Sequence, residues 1–294
     1  MRLGVLVPGD LVYGIEGQRI TGEQMDFGEI GTRGLVLLGC GKMGTAMLEG
    51  WLAGGLDPTS VWVIDPYPSD QVKAAGVHVN EGLPEAPAVL VIAVKPQMMG
   101  EALDQVARVG GGGTVVLSIA AGTTIAVFER VFGTLTPIVR AMPNTPAAIG
   151  RGITAIVGNA QVSEEVLGMA EGLLTAVGQT VRLEREGDMD AVTAVSGSGP
   201  AYVFHLIETL AKGGEAEGLA PDLAMRLAKA TVAGAGALAE AAAEDPAQLR
   251  VNVTSPNGTT QAALEVLMDE GSGFPSLLPR AVKAAADRSR ELGK

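Results

Sequence analysis

Cysteine, histidine and aromatic residues are scarce in this chain of 294 residues. It has one cysteine, Cys40, and two histidines, His78 and His205, while aromatic residues make up 3%. A single cysteine excludes an intrachain disulfide, and so few thiols and imidazoles argue against a metal site. Neither histidine belongs to a Ser–His–Asp or Cys–His pattern, so a hydrolase of those types is not expected.

Basic residues and long apolar runs are scarce as well. The chain has 21 basic and 33 acidic residues, a formal net charge of -12 that would repel a phosphate backbone and argues against a nucleic-acid partner. No apolar run reaches the roughly 20 residues needed to cross a bilayer. Pro8 and Asp10 interrupt the apolar start of the chain before it could form a signal peptide. We therefore expect a cytoplasmic protein that does not enter a membrane.

The first half of the chain alternates short apolar runs with helical patterns. Strands are predicted at residues 35–38, 61–64, 89–94, 115–119, 137–140, 153–157 and 181–183, and helices at residues 43–53 and 163–177. Continuous apolar runs are typical of strands buried on both faces. The alternation predicts an α/β fold with a doubly wound, Rossmann-like parallel sheet.

Strand patterns disappear after about residue 186. Helical patterns cover residues 203–210, 222–244, 260–269 and 279–292, so the second half is predicted to be all-helical. We divide the chain into an N-terminal extension (residues 1–33), a dinucleotide-binding domain (34–187) and a helical domain (188–294). Because Met25 precedes the first convincing strand, residues 1–24 are expected to be a dispensable extension or to result from a misassigned start.

A G-x-G-x-x-G motif stands between the first predicted strand and the helix that follows it. Its residues are Gly39, Cys40, Gly41, Lys42, Met43 and Gly44. The first glycine permits a tight turn, the second lets a pyrophosphate approach the backbone, and the third lets the helix pack on the strand. Free N–H groups at the helix start would hold the phosphates. In this context the motif predicts dinucleotide binding.

Two charged residues end other predicted strands. An acid such as Asp65 at the end of the second strand typically binds the adenine ribose hydroxyls and favours NADH over NADPH. Before Pro66 it could equally be a turn-forming residue. Lys95, which is followed by Pro96, is either a cofactor contact or a solvated surface lysine. The choice between NADH and NADPH stays open at this point.

Two loops rich in small and hydroxyl residues precede helices in the second half, at residues 196–200 (SGSGP) and 254–260 (TSPNGTT). Each could gather N–H groups into a site for a substrate anion, or merely cap its helix. No histidine or lysine stands at a convincing place for a general base in this half. That pattern suits reduction of a protonated imine better than oxidation of an alcohol.

From residue 34 to near its end the chain resembles the pyrroline-5-carboxylate reductase family. The matching segments are residues 39–44, 93–97, 118–122 (SIAAG), 140–147 (RAMPNTPA), 191–202 (AVTAVSGSGPAY) and 252–260 (NVTSPNGTT), in the family's order. The resemblance implies hydride transfer from NADPH or NADH to the C=N carbon of 1-pyrroline-5-carboxylate, giving L-proline. It also implies that the helical domain is a dimerisation domain, in a homodimer or a ring of dimers.

The resemblance also implies which residues form the site. Together with the glycine motif and Asp65, the residues expected to contact the cofactor are Asn80, Ala93, Val94, Lys95, Pro96, Ala120, Ala121 and Asn252. The residues expected to contact the substrate are Glu186, Ser255, Gly258, Thr259 and Thr260. The N–H groups of Thr259 and Thr260 would hold the carboxylate. The Thr260 hydroxyl, the one catalytic group assigned, would approach the ring nitrogen.

The chain departs from the family pattern within both motifs. Lys42 and Gly44 stand where many members have Asn and Ala, which could alter the phosphate contacts. Asn257 replaces a usual Gly, but Asn tolerates left-handed backbone angles, so the turn is expected to survive. Two alternatives stay open: another dehydrogenase of the same architecture, and a non-catalytic nucleotide-binding regulator.

Overall fold

A computed structural model of the chain describes residues 27–293. The segment predicted to be dispensable, residues 1–24, lies outside the described residues. Ile30 is buried in the core of the first domain, and Arg33 donates to the carbonyl oxygens of Ala86 and Pro87, each at 3.2 Å. The residues just before Gly34 therefore pack onto that domain, and the division at residue 33 stays a prediction.

The first half of the chain forms one sheet. Its strands are β1 (Leu35–Leu38), β2 (Val61–Ile64), β3 (His78–Val79), β4 (Val89–Ile92), β5 (Val115–Ser118), β6 (Ile138–Met142), β7 (Gly152–Gly158) and β8 (Gly178–Arg182). Their spatial order is β3-β2-β1-β4-β5-β6-β7-β8, and the strands from β3 to β6 run parallel. The winding direction reverses between β1 and β4, which opens a crevice at the carboxyl ends of these strands. The arrangement confirms the predicted Rossmann-like sheet.

Helices cover both faces of this sheet. They are α1 (Ile30–Arg33), α2 (Lys42–Ala53), α3 (Asp70–Ala74), α4 (Met99–Val106), α5 (Ile125–Phe132) and α6 (Glu164–Thr175). Every residue of β1, β4 and β5 is buried, as the continuous apolar runs predict. The indole Nε1 of Trp51 donates to the carbonyl oxygen of Leu173 at 2.7 Å and joins α2 to α6. Ser163 caps α6, because its hydroxyl accepts from the N–H of Val166 at 3.3 Å.

The sheet has two features that were not predicted: one pair of strands is antiparallel, and one strand is very short. Strand β7 runs antiparallel to β6, and β8 runs parallel to β7. The link between β6 and β7 contains only a short 3₁₀ turn (Thr145–Ile149), whereas a parallel pair needs a long crossover. Strand β3 has only two residues, too few to show a recognisable pattern.

The second half is helical throughout the residues that the structure describes, with α7 (Met189–Val192), α8 (Gly199–Ala216), α9 (Pro221–Ala241), α10 (Pro246–Asn252), α11 (Thr259–Leu267) and α12 (Phe274–Leu292). The predicted loop at residues 196–200 is wrong, because a π-helical turn (Thr193–Gly197) leads directly into α8. The N–H of Ser198 donates to the Thr193 carbonyl at 2.8 Å, and the Tyr202 hydroxyl donates to the Ala194 carbonyl at 3.0 Å. These bonds occupy groups that an open anion-binding loop would leave free.

The helical half leaves much of its apolar surface uncovered. Between α8 and α9 its small core consists of Ala211, Ala224 and Ala228. Phe204 is 63% exposed, and with Leu278 it lines an apolar groove of about 1010 Å³ between α8 and α12. Contiguous apolar surface of this kind marks an interface. Within residues 27–293 no helix combines the length and hydropathy needed to cross a membrane.

Candidate functional site

Five loops at one edge of the sheet carry most of the predicted cofactor residues. They follow β1 (Gly39, Cys40, Gly41, Lys42, Met43 and Gly44), β2 (Asp65), β3 (Asn80), β4 (Ala93, Val94, Lys95 and Pro96) and β5 (Ala120 and Ala121). Because these strands are parallel, all five loops open on the same edge of the sheet. The structure therefore brings these residues together, and it leaves Asn252 elsewhere, at the end of α10.

The glycine turn after β1 has the geometry of a phosphate-binding cradle. Gly39 has a φ of 87°, and a Cβ there would lie 2.8 Å from Cγ1 of Val94. A Cβ on Gly44 would lie 2.6 Å from the Gly39 carbonyl oxygen, whereas one on Gly41 would meet nothing within 4 Å. Gly41 gives α2 no side-chain cap, so the first N–H groups of the helix point into open space. A dinucleotide pyrophosphate fits this turn.

Asp65 and Asn80 join the ends of three strands at the same edge. The carboxylate of Asp65 accepts from the N–H of Cys40 through Oδ2 at 2.6 Å and from the N–H of Tyr67 through Oδ1 at 2.7 Å. The Asn80 side chain accepts from the Asp65 N–H at 3.1 Å and donates to its carbonyl oxygen at 2.9 Å. The carboxylate thus supports its own turn and also faces the glycine turn, so both interpretations of Asp65 fit.

Cys40 lies buried inside the glycine turn. Burial raises the pKa of its thiol, and the nearby Asp65 carboxylate acts in the same direction, while a hydrogen bond with Thr45 lowers it. The thiol is therefore protonated at neutral pH and a poor nucleophile. Cys40 therefore serves as a small, buried residue that fills the turn.

The loops after β4 and β5 form the other side of the crevice. Lys95 is exposed and precedes a short 3₁₀ turn (Pro96–Met98). Ala120 is buried, its N–H donates to the Ser118 hydroxyl at 3.2 Å, and Ala121 beside it is exposed. Small side chains leave room for a ligand over this loop. No hydrogen bond or ion pair engages the Lys95 side chain within residues 27–293, so its amino group is available to a bound phosphate or ribose.

Glu186 reaches this edge through an ion pair that was not predicted. Its Oε1 accepts from Nη1 of Arg140 at 2.8 Å and from the N–H of Ile125, the first residue of α5, at 2.8 Å. The Arg140 side chain is 6% exposed and that of Glu186 is 31% exposed. Arg140 stands in the otherwise apolar strand β6, and a buried guanidinium needs a carboxylate partner. In the sequence, a single arginine within an apolar strand was the available indication that a carboxylate partner is needed.

The turn at residues 254–260 is exposed or half-exposed, and within the described residues it makes no hydrogen bond or ion pair with the sheet edge. None of the residues of α10 and α11 is buried, and within residues 27–293 no hydrogen bond or ion pair joins residues 245–273 to the first domain. Asn257 has a φ of 58°, which confirms that Asn serves in the left-handed position. Gly258 provides α11 with no side-chain cap, so the N–H groups of Thr259 and Thr260 are available to an anion.

One chain thus divides the predicted substrate residues between two places. Glu186 lies at the sheet edge, whereas Ser255, Gly258, Thr259 and Thr260 lie on the turn before α11. The predicted cofactor residue Asn252 is close to that turn, and its Oδ1 accepts from Gln248 Nε2 at 2.8 Å.

A Rossmann-like sheet with an open glycine turn at the reversal of its winding, followed by an interface-forming helical half, defines a nicotinamide-dinucleotide oxidoreductase. A family model described as pyrroline-5-carboxylate reductase dimerisation matches residues 186–292, and one described as NADP oxidoreductase, coenzyme F420-dependent, matches residues 34–122. Pyrroline-5-carboxylate reductase of Pseudomonas aeruginosa is 40% identical over 266 residues, covering 88% of this chain and 97% of that protein. The chain belongs to the pyrroline-5-carboxylate reductase family.

Solved structures agree with this family. A pyrroline-5-carboxylate reductase from Coxiella burnetii is 33% identical and superposes with a TM-score of 0.83, over 90% of this chain and 99% of that one. The Plasmodium falciparum pyrroline carboxylate reductase with NADP bound is 28% identical, with a TM-score of 0.77 over 89% of this chain and 98% of that one. These similarities confirm the predicted fold class and the predicted reductase family.

Proposed function

We propose that this chain reduces 1-pyrroline-5-carboxylate to L-proline with NADH or NADPH, the last step of proline synthesis, at a site formed between two copies of the chain. The observation that carries the proposal is the open glycine turn at the crevice between β1 and β4, in a chain that belongs to this reductase family. The edge residues Asp65, Asn80 and Lys95 surround that turn.

The dinucleotide is held by the first domain. The N–H groups at the start of α2 bind the pyrophosphate, because Gly41 lets it approach the backbone and provides no competing cap. The small residues Ala93, Ala120 and Ala121 border the nicotinamide end of the crevice. When bound, the reduced nicotinamide supplies the hydride that adds to the carbon of the C=N bond.

The substrate is held by the turn before α11. The N–H groups of Thr259 and Thr260 bind its carboxylate, since they are uncapped and lie at the positive end of a helix. The Thr260 hydroxyl hydrogen-bonds the ring nitrogen and orients the C=N bond. The imine is protonated before reduction, so hydride addition yields the neutral secondary amine, and positioning rather than a strong base accounts for most of the rate.

The two halves of this site come from different copies in a homodimer. Among the described residues, no hydrogen bond or ion pair joins the turn at residues 254–260 to its own first domain. The exposed apolar residues of α8 and α12 need a covering partner. The turn of the second copy then faces the first copy's crevice. Assembly of dimers into a ring and a cytoplasmic location complete the proposal.

The direct test is oxidation of NADH or NADPH by the purified chain in the presence of 1-pyrroline-5-carboxylate, with proline measured as the product. We expect turnover with this imine and none with 2-hydroxy acids and NAD. Dinucleotide binding without turnover would instead favour a regulator, and oxidation of a hydroxy acid would favour another dehydrogenase of this architecture.

A further inference from the structure

The Asp65 carboxylate is fixed beside the glycine turn, at the carboxyl end of β2. Both of its oxygens accept a backbone N–H, at 2.6 Å from Cys40 and at 2.7 Å from Tyr67. A carboxylate has about four lone-pair sites, so each oxygen can accept one further hydrogen bond. Two neighbouring ribose hydroxyls are donors of the right kind for these two oxygens.

Asn80 prevents this carboxylate from moving aside. Its side chain makes a paired set of hydrogen bonds with the backbone N–H and carbonyl of Asp65, at 3.1 and 2.9 Å. The left-handed φ of 57° at Asn80 directs the amide back toward β2. Both polar ends of the amide are therefore used on Asp65, which fixes the backbone at the base of the carboxylate.

Among the described residues, no cation bonds to this carboxylate. Within residues 27–293 no lysine or arginine forms a hydrogen bond or an ion pair with Asp65 or Asn80. Arg108 is the basic residue to consider, because it lines the same cavity of about 380 Å³ as Asn80. Its guanidinium is directed to the Leu83 carbonyl oxygen at 3.4 Å. A ribose 2′-phosphate, with a charge near -2, would therefore be repelled by a carboxylate to which no lysine or arginine bonds.

We propose that this chain selects NADH over NADPH, with Asp65 as the specificity-determining residue and Asn80 as the residue that positions it. The inference rests on the proposed function, because it assumes a dinucleotide on the glycine turn. It goes further by stating which dinucleotide the site accepts. The two roles considered for Asp65 are combined, since the turn that it forms with Tyr67 is what holds its carboxylate toward the ribose.

The test is to titrate the full chain with NADH and with NADPH in the absence of substrate. The fluorescence of the bound nicotinamide gives the two dissociation constants. The wild type is expected to bind NADH at least about tenfold more tightly than it binds NADPH. Asp65→Asn removes the charge while keeping an oxygen acceptor, and should tighten NADPH binding by about 10- to 100-fold. Asn80→Gly keeps the left-handed backbone but frees Asp65, and should narrow the ratio of the two dissociation constants severalfold.

Two control variants distinguish a direct effect of Asp65 on the dinucleotide from an effect of the protein's net charge. Asp70→Asn removes one negative charge from a fully exposed side chain at the start of α3 and should leave the ratio unchanged. Arg108→Gln should leave it unchanged as well. Three outcomes would overturn the inference while the reductase function stands. They are equal or tighter binding of NADPH by the wild type, an unchanged ratio of the two dissociation constants in Asp65→Asn, and a selective loss of NADPH binding in Arg108→Gln. Failure to bind either dinucleotide would overturn both the inference and the proposed reductase function.

Discussion

Arg140 and Glu186 form an ion pair between a buried guanidinium and a half-buried carboxylate, and it joins β6 to the segment leading into the helical half. Nη1 of Arg140 lies 2.8 Å from Oε1 of Glu186, and the same oxygen accepts the N–H of Ile125. Glu186 therefore holds three segments together next to the loop that carries Ala120 and Ala121.

Glu186→Gln should destabilise the fold and impair catalysis. The amide oxygen can still accept from Ile125, but the buried Arg140 charge loses its counter-ion, at a cost of about 1–3 kcal/mol in the free energy of unfolding. Urea unfolding measures this loss, and steady-state kinetics should show a lower kcat/KM. The exposed neighbour gives a control, Glu184→Gln, expected within about 0.5 kcal/mol of wild type. Equal stability of the two variants would show that the ion pair does not contribute to the free energy of unfolding.

Gly41→Ala should block dinucleotide binding without disturbing the fold. A Cβ at this position meets no protein atom within 4 Å, but it projects where the pyrophosphate must approach the backbone. The dissociation constant of NADH should rise by about tenfold or more, and thermal unfolding should change little. Gly100→Ala is the control, because that position on α4 is equally open but lies away from the turn. Unchanged NADH affinity in Gly41→Ala would remove the glycine turn from the site.

Thr260→Ala should lower kcat/KM for the imine by about 10- to 100-fold, because a hydrogen bond to the ring nitrogen is lost. Dinucleotide affinity and the melting temperature should not change, since Thr260 caps nothing in the fold. Thr260→Ser keeps the hydroxyl and should restore most of the activity. Wild-type kinetics in Thr260→Ala would exclude this hydroxyl from the reaction.

Phe204→Glu should convert the dimer into an inactive monomer. Its ring is 63% exposed on the apolar groove between α8 and α12, where a charge would be buried on association. Light scattering after gel filtration measures the mass. Leu135→Glu, at a 69% exposed position of the first domain, should leave mass and activity unchanged. A Phe204→Glu monomer with full activity would show that one copy suffices for catalysis.

The strands and the glycine turn could be predicted because their signals are local. Continuous apolar runs gave β1, β4 and β5, and the G-x-G-x-x-G spacing placed the turn. The reversed direction of β7 depends on a short connection rather than on its residues. The π-helical turn over Thr193–Gly197 contains glycine and serine, which are typical of loops, so its local pattern favours a loop. The Arg140–Glu186 pair joins distant positions, and no pattern along the chain reveals such a pairing.

The central claim is that the glycine turn of one copy and the Thr260 turn of another form one site. Its most direct test is co-expression of Gly41→Ala and Thr260→Ala chains with different tags, isolation of the mixed dimer and measurement of proline formation. Each mixed dimer should hold one intact site and one doubly altered site, and should recover about half of the wild-type activity. If both groups acted within one chain, every site would carry one defect, and the mixed dimer would be as inactive as its parents.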